Sequence, residues 1–231
     1  MEAIILAGGK GTRLTEVVSA VAKPMAPING RPFLWYLFQW LKIYPIEKVV
    51  LSTGYLSESI SDYFGTSFGG IPIAYATEEK PLGTGGAIKF ALSKTKGSNI
   101  LIINGDTYFP ININSFYSFH CDNNFLFSIA LKHMQNFSRY GSVVCQDNTI
   151  LKFNEKKFCR EGLINGGVYL INREYFNSKQ VPEVFSLEKH IMEKEAGSGI
   201  FKGKIFDNVF IDIGIPEDYR QAQSLLILPN E

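Results

Sequence analysis

The sequence has little cysteine and almost no net charge. Its three cysteines, Cys121, Cys145 and Cys159, form no Cys-x-x-Cys pair and have no histidine at ligand spacing, which argues against a disulfide framework and a zinc site. The formal net charge of +1 is too small for a surface that neutralises nucleic-acid phosphates. We therefore expect small-molecule partners, no nucleic-acid partner, and a cytoplasmic protein with reduced thiols.

Long apolar runs and targeting features are also lacking. Glu2 stands where a secretory signal would be basic, and the first apolar run ends after a few residues, so neither a signal peptide nor a membrane span is predicted. A chain of 231 residues with 45% hydrophobic content can bury one sizeable core. We expect a single domain over residues 1–231, with no membrane partner. Association into a homo-oligomer is compatible with the sequence.

What the first half does contain is an alternation of apolar strands and helices. Unbroken apolar runs predict strands buried on both faces at 3–7, 48–52, 73–76 and 100–103. Helices are predicted from Pro32, Ser57 and Gly83, between these strands. The alternation indicates an α/β protein with a Rossmann-like, doubly wound, mixed but mostly parallel sheet, whose ligands bind at the carboxyl ends of the strands.

The second half has a different pattern. Short strands are predicted at 125–131, 142–145, 150–153, 167–171 and 210–213, and the dipeptide Asp147-Asn148 predicts a hairpin turn between two of them. Ser186 is expected to cap a helix through Glu193, and Pro216 to start a final helix. The aromatic residues at 116, 117, 119, 125 and 127 are expected in the core. This half should add antiparallel or mixed strands to the sheet.

A glycine-rich turn follows the first strand. Gly8, Gly9 and Gly11 lack a Cβ, so the backbone can adopt positive φ and a ligand can approach its amide N–H groups. Arg13 and Lys23 bring positive charge to the same neighbourhood, and a guanidinium beside an ammonium suits a polyanion. The pattern predicts a phosphate-binding loop, although a turn with incidental glycines would look the same locally.

Two other glycine motifs are excluded by spacing. A Walker A loop would need a glycine at Ile4 and a hydroxyl residue at Gly11. The dinucleotide fingerprint would need a third glycine at Leu14, and the next strand, near 49–52, closes without an acidic residue. The loop is therefore assigned to neither a P-loop enzyme nor a dehydrogenase.

Two aspartates are candidates for a metal site. Asp106 follows an apolar strand through Asn104-Gly105, and Asp212 is flanked by apolar residues among which an unpaired carboxylate would be costly to bury. If both acids meet at one site, their oxygens suit Mg²⁺ together with phosphate groups. The alternative is that each aspartate caps a neighbouring loop.

Taken together, these segments carry a family resemblance. The run Leu-Ala-Gly-Gly-x-Gly-Thr-Arg-Leu from Leu6 to Leu14, followed by Lys23-Pro24-Met25, resembles the signature of the sugar-1-phosphate nucleotidylyltransferases. These enzymes join a nucleoside triphosphate to a sugar 1-phosphate and release pyrophosphate. The chain departs from the Arg-Leu-x-Pro-Leu-Thr continuation that many members share, which disfavours the thymidylyl branch.

The resemblance implies a nucleotide-diphospho-sugar transferase fold, with a nucleotide-binding half over 1–110 and a sugar-binding half over 111–231. It gives Arg13 a contact with the leaving pyrophosphate and Lys23 a contact with the reacting phosphates, as catalytic residues, and Asp106 and Asp212 the role of Mg²⁺ ligands. The nucleotide-binding residues that it implies are Leu6, Ala7, Gly8, Gly9, Gly11, Thr12, Glu78, Pro81, Gly83 and Thr84. The sugar-binding residues that it implies are Asn104, Tyr140, Gly141, Glu155, Lys156, Asn165 and Gly166.

Some of these residues also have plainer interpretations. Glu78 could accept hydrogen bonds from a base edge, and guanine offers adjacent N1–H and N2–H donors, but uracil also offers one N–H donor. A solvated glutamate in an acidic turn is the alternative for Glu78. For Glu155 and Lys156 the alternative is a surface ion pair.

Within the family the chain is most similar to the bacterial D-glycero-α-D-manno-heptose 1-phosphate guanylyltransferases. The similarity rests on segments beginning at Lys23, Pro81, Ser138 and Phe210, and it implies GTP and a heptose 1-phosphate as substrates, with a product that supplies a surface glycan. Guanylyl transfer to mannose 1-phosphate, uridylyl transfer to muramate 1-phosphate and thymidylyl transfer to glucose 1-phosphate remain alternatives. A nucleotide-sugar-binding regulator without turnover is a further alternative, from another functional class.

Overall fold

The fold is taken from a computed structural model, which describes residues 1–9 and 21–226. The predicted ligands Gly11, Thr12 and Arg13 lie outside the described residues. Within the described part of the chain, no helix is long and apolar enough to cross a bilayer.

The first half of the chain alternates strands and helices as expected. Its elements are β1 (Glu2–Leu6), β2 (Pro27–Ile28), β3 (Arg31–Pro32), α1 (Phe33–Leu41), β4 (Lys48–Thr53), α2 (Ser57–Phe64), β5 (Ser67–Phe68), β6 (Ile71–Thr77), α3 (Gly83–Leu92), β7 (Asn99–Asn104), β8 (Thr107–Tyr108) and α4 (Ile113–Cys121). A short 3₁₀ turn covers Lys23–Met25. The four predicted strands of this half correspond to β1, β4, β6 and β7.

The second half contributes longer, mostly antiparallel strands. Its elements are β9 (Phe127–Phe137), β10 (Gly141–Gln146), β11 (Thr149–Lys156), β12 (Cys159–Asn172), α5 (Arg173–Asn177), α6 (Glu193–Glu195), β13 (Phe201–Phe206), β14 (Ile211–Asp212) and α7 (Pro216–Leu225). A π-helical turn, Glu188–Met192, leads directly into α6. Asp147 and Asn148 both have positive φ, of 48° and 60°, as the predicted hairpin turn requires.

One mixed sheet runs through both halves. Among the described residues it has ten strands, in the order β10-β11-β13-β9-β12-β7-β1-β4-β6-β5. The strands β7, β1, β4 and β6 are parallel to one another, whereas β12 is antiparallel to both β7 and β9. The predicted mixed α/β architecture is confirmed, with the parallel part in the first half. The division at residue 110 stays a prediction.

The order of the parallel strands places a crevice beside β1. The chain passes from β1 to β4 and β6 on one side and then returns to β7 on the other side of β1. At such a reversal the connections leave the sheet toward opposite faces, so a cleft opens at the carboxyl ends of the two strands. The glycine turn follows β1, and Asn104-Gly105-Asp106 follows β7. Both predicted ligand segments therefore begin at this cleft.

The parallel strands are buried on both faces, which explains their unbroken apolar sequences. On β1, Ala3 and Ile5 belong to one core cluster and Ile4 to the other. The first cluster contains side chains from α1, α2, α4 and α7, and the second contains side chains from α3, α5 and the π-helical turn. The sheet is therefore covered by helices on both faces, as in a doubly wound fold.

One prediction for the second half needs correction. The predicted strand at 210–213 is only two residues long, and β14 pairs with β8 outside the large sheet. Elements α4, α5 and β13 were not predicted. Of the five aromatic residues expected in the core, Phe116 and Phe127 are fully buried. Tyr117 and Phe119 pack at the edge of the first cluster, and Phe125 is half-buried.

Candidate active site

The small sheet of β8 and β14 brings the two predicted metal ligands together. Asp212 pairs with Thr107 in antiparallel register, and the Ile213 amide donates to the Asp106 carbonyl oxygen at 3.0 Å. Asp106 follows the carboxyl end of β7, and Asp212 lies on the strand that pairs with the next residue, Thr107. The short strand that replaces the expected 210–213 strand therefore serves to place Asp212 beside Asp106.

Lys23 pairs with Asp106 and lies near Asp212. Its Nζ is 2.5 Å from Asp106 Oδ2, and a Cβ on Gly214 would lie 3.0 Å from Lys23 Nζ and 2.7 Å from Asp212 Oδ1. Burial raises the pKa of Asp212 and the Asp106 charge raises it further, while Lys23 and the Gly214 amide lower it. The site thus concentrates two acids and one cation, and Gly214 provides the space for them.

A cavity of about 210 Å³ opens on the β1 side of this group. Its walls include five residues from the predicted nucleotide and catalytic sets, which are Leu6, Ala7, Gly9, Lys23 and Thr84. Pro24, Gly105 and Glu188 complete the described lining together with Asn104 and Asp106. Backbone amides after a parallel strand and a nearby ammonium suit the binding of phosphate groups.

A larger cavity of about 420 Å³ opens on the other side, between β7 and the strands of the second half. Of the predicted sugar-binding residues, Asn104, Tyr140, Gly141, Glu155, Lys156 and Asn165 line it, together with Asp106 and Asp212. Gly166 does not line it, because this glycine packs against the Phe109 ring, 2.5 Å from where its Cβ would lie. Its neighbour Gly167 lines the cavity instead.

The two cavities meet at shared residues. Asn104, Asp106 and Glu188 contribute to the walls of both. A ligand in one cavity would therefore approach a ligand in the other next to the Asp106 carboxylate and the Lys23 ammonium. This arrangement suits a reaction between two bound substrates that carry negative charge.

Glu78 lies directly after β6, close to the glycine turn, and lines neither of the two cavities. Its Oε2 accepts a hydrogen bond from the Leu82 amide at 2.9 Å, and a Cβ on Gly8 would lie 3.3 Å from its Oε1. Burial raises the pKa of Glu78, although the Leu82 amide lowers it. Glu78 is thus packed against the turn rather than solvated, and one of its oxygens faces Gly8.

The glycines at the start of α3 pack against another segment of the chain. They were expected to let a base approach the backbone, but a Cβ on Gly85 would overlap the Phe185 ring, and one on Gly83 would lie 2.6 Å from the Phe185 carbonyl oxygen. That oxygen accepts hydrogen bonds from the Gly85 and Gly86 amides. The glycines therefore let the segment around Phe185 dock on α3, and Pro81 is exposed beside it.

Several cleft residues were missed from the sequence, and three of them lie on the docked segment. Glu188, Met192 and Glu193 line the larger cavity, as do Asn154 and Phe210. The Ser186 hydroxyl donates to Glu188 Oε2 at 2.7 Å and accepts from the Lys189 amide, which fixes the start of the turn. Ser186 signalled a helix here, but no local pattern shows that its first turn faces the cleft.

The described residues offer few side chains that could coordinate a metal ion. They contain no group of three or more His, Cys, Asp and Glu side chains that could hold a metal ion. The pair Asp106 and Asp212 gives two carboxylates and leaves other positions to water or phosphate oxygens, which is how Mg²⁺ is commonly bound in phosphate-transfer sites. The donor set therefore suits Mg²⁺ better than a metal that needs a complete protein cage.

The fold and this two-cavity cleft define a nucleotidyl transferase. The chain matches the family model described as nucleotidyl transferase over residues 2–227, and it belongs to that family. It is 49% identical to the D-glycero-alpha-D-manno-heptose 1-phosphate guanylyltransferase of Aneurinibacillus thermoaerophilus, covering 98% of both chains. It is 44% identical to the enzyme of the same name from Campylobacter jejuni, covering 95% of this chain and 97% of that one.

The fold of this chain is also similar to that of a solved structure. HddC from Yersinia pseudotuberculosis, complexed with GMP-PN, superimposes with a TM-score of 0.88 at 33% identity, covering 98% of this chain and 99% of that one. The predicted family resemblance is confirmed.

Proposed function

We propose that this chain transfers GMP from GTP to D-glycero-α-D-manno-heptose 1-phosphate, giving GDP-heptose and pyrophosphate. The observation that carries the proposal is a pair of cavities that share Asp106, next to Lys23. One cavity is lined by the glycine turn and the other by side chains that can hydrogen-bond to sugar hydroxyl groups. The choice of GTP and heptose is supported by the 49% and 44% identical guanylyltransferases.

On the nucleotide side, the turn after β1 and Thr84 would hold the triphosphate, with Gly9 next to the phosphates. Glu78 would accept from the guanine edge through the oxygen that faces Gly8, because its other oxygen accepts from Leu82. Arg13 keeps its proposed contact with the leaving pyrophosphate on the basis of the sequence motif, since it lies outside the described residues.

On the sugar side, hydroxyl groups would pair with Asn104, Glu155 and Asn165 along the larger cavity. The Asn165 amide group is oriented by two bonds, since its Nδ2 donates to the Tyr169 hydroxyl and its Oδ1 accepts from the Gly167 amide. Lys156, which also lines this cavity, would neutralise the sugar phosphate. The volume of about 420 Å³ accommodates a monosaccharide phosphate.

The reaction would need charge neutralisation and alignment rather than a covalent nucleophile. A sugar phosphate oxygen would attack the α-phosphorus in line, and no general base is needed because that oxygen is already ionised. Lys23 would offset the charge that develops at the α-phosphate, from its position beside Asp106. Mg²⁺ held by Asp106 and Asp212 would, when bound, polarise the phosphate oxygens and offset their charge.

The proposal is tested by pyrophosphate release from a matrix of four nucleoside triphosphates and several sugar 1-phosphates, with and without Mg²⁺. GTP with the heptose 1-phosphate should give the highest kcat/KM, and release should depend on Mg²⁺. A higher kcat/KM for another pair of substrates would show that the assignment of GTP and heptose 1-phosphate is wrong. No pyrophosphate release in any combination would favour a nucleotide-sugar-binding regulator.

A Glu78→Gln variant in the same matrix tests the base assignment. Glutamine can still accept from Leu82 through its amide oxygen, but its NH₂ group would face the guanine donors. We expect kcat/KM for GTP to fall by about tenfold or more, with a smaller change for the other triphosphates. Equal changes for all four would contradict a contact between Glu78 and the base.

A further inference from the structure

A series of contacts links the carboxylate of Asp212 to the loop before β10 and to helix α7. The loop 138–140, between β9 and β10, carries Arg139 and Tyr140. Arg139 Nη2 donates to both carboxylate oxygens of Asp218, at 3.0 Å and 2.8 Å. Asp218 lies in the first turn of α7, which begins four residues after Asp212. The ion pair thus ties the loop to the segment that carries Asp212.

Tyr140 is held on two sides and reaches Asp212. The Arg139 guanidinium lies over the Tyr140 ring, 5.7 Å from its centroid, and the Phe210 ring meets it edge-on at the same distance. The Tyr140 hydroxyl donates to Asp212 Oδ2 at 3.4 Å. The other oxygen, Oδ1, accepts from the Gly214 amide at 2.8 Å. Both oxygens of the carboxylate are therefore oriented by neighbours.

The loop is confined at its other end as well. A Cβ on Gly141 would overlap the Asn154 carbonyl oxygen, so the return of the chain into β10 is fixed by close packing. Tyr140, Gly141, Asn154 and Phe210 all line the larger cavity. A shift of the loop away from α7 would therefore move one wall of this cavity and the Tyr140 hydroxyl together.

We propose that Arg139 and Asp218 are positioning residues for the sugar site, acting through Tyr140 and Asp212 without touching the substrate. This inference rests on the proposed function, because it assigns the larger cavity to the sugar phosphate. The Arg139 side chain is 46% exposed and that of Asp218 is 14% exposed. Ion pairs with one exposed partner contribute modestly to global stability, so the pair should act mainly on the geometry of the site.

The kinetic test uses a double-mutant cycle of Arg139→Ala and Asp218→Asn. Each single change should raise KM for the sugar phosphate by about tenfold while KM for GTP stays within about twofold, because the displaced wall belongs to one cavity only. The double variant should be no worse than either single variant. Arg139→Lys keeps the charge but loses the planar group over Tyr140, and its KM should lie in between.

A matched control is available at the amino ends of the parallel strands. Lys48 forms an ion pair with Glu2 at 2.7 Å, and both residues lie at the amino ends of their strands, far along β4 and β1 from the cleft. Lys48→Ala should leave both KM values unchanged. Additive losses in the double variant, or an unchanged KM for the sugar phosphate, would overturn the proposal.

A second measurement does not depend on turnover. Amide hydrogen exchange of residues 138–141 in the ligand-free protein should be faster in Arg139→Ala and Asp218→Asn than in the wild type, with exchange in β1 unchanged. Unchanged exchange in 138–141 would contradict the positioning role. If the wild type fails to release pyrophosphate while exchange responds as expected, the substrate assignment fails and the positioning of Tyr140 stands.

Discussion

The ammonium nitrogen of Lys23 lies 2.5 Å from Asp106 Oδ2, at the junction of the two cavities. This contact joins a residue from the segment after the glycine turn to one that follows β7. It places a cation where two negatively charged substrates would approach each other. The chemistry proposed for the cleft depends on this position more than on any other described side chain.

Lys23→Ala should therefore remove most of the activity. Without the ammonium group, the charge at the α-phosphate and at Asp106 and Asp212 is not offset, and we expect kcat to fall by about a hundredfold. Steady-state pyrophosphate release at saturating substrates measures this change. Lys48→Ala, which removes an ion pair of similar length away from the cleft, is the control and should stay near the wild-type rate. A decrease in kcat of less than about threefold for Lys23→Ala would show that Lys23 does not take part in the reaction.

Asp212→Asn should have opposite effects on the ligand-free protein and on activity. Burial and the neighbouring Asp106 charge raise the pKa of Asp212, so the ionised group is unfavourable in the absence of a cation. The substitution should stabilise the ligand-free protein by about 1 kcal/mol and abolish the stabilisation that we expect Mg²⁺ with GTP to give the wild type. Thermal unfolding with and without Mg²⁺ and GTP tests both effects. Asp122→Asn, at an exposed residue after α4, should change neither. A destabilised ligand-free Asp212→Asn protein would contradict this electrostatic account.

Gly85→Ala and Gly9→Ala form a contrasting pair. A Cβ on Gly85 would overlap the Phe185 ring, whereas a Cβ on Gly9 would meet nothing within 4 Å. Gly85→Ala should therefore lower the free energy of unfolding by about 1–3 kcal/mol, as other overpacked sites do. Gly9→Ala should leave stability unchanged and raise KM for GTP, because Gly9 lines the cavity assigned to the triphosphate. Urea titrations and steady-state kinetics measure the two effects. Equal stability of both variants would show that Phe185 does not pack on α3 as described.

His120 should make the stability of the fold dependent on pH. It is fully buried, its ring nitrogens lie 2.8 Å from Ser128 Oγ and 3.2 Å from Asn99 Oδ1, and burial lowers its pKa from 6.5 to about 4. The unfolded chain binds the proton more tightly, so the stabilisation from neutral His120 is complete above pH 6.5 and is lost as the pH falls toward 4. The loss should reach about 3 kcal/mol relative to a His120→Gln variant.

Urea unfolding of both proteins between pH 7.5 and 4.5 isolates this contribution, because the carboxylates titrate alike in each. The difference in unfolding free energy between wild type and His120→Gln should shrink steadily below pH 6.5. A constant difference across this range would show that His120 keeps an ordinary pKa in the folded protein.

The parallel core of the fold could be predicted because its signals are local. Strands β1 and β7 are buried on both faces and therefore have unbroken apolar sequences, and the glycines after β1 mark an abrupt end. The helix from Pro216 was likewise predictable from its proline and from Glu217 and Asp218 in its first turn. Helix α4 was missed although Asn112 caps it by accepting from the Ser115 amide, a signal that the sequence does contain.

Other parts depend on contacts distant in the sequence. Strand β13 contains Gly203, which weakens a strand pattern, and its pairing with β9 requires that glycine because a Cβ would overlap Leu131. Glu188 lines both cavities only because the Phe185 segment docks on the glycines of α3. The resemblance placed Asp106 and Asp212 in one site, whereas their actual separation is set by the two-residue pairing of β8 and β14.

The most direct test of the central claim follows the phosphorus atoms of GTP. With the heptose 1-phosphate and Mg²⁺ present, label at the α-phosphate should appear in GDP-heptose and label at the γ-phosphate in pyrophosphate, in equal amounts. Recovery of the α-label as free GMP, or of the γ-label as inorganic phosphate with no labelled sugar nucleotide, would contradict nucleotidyl transfer in this cleft.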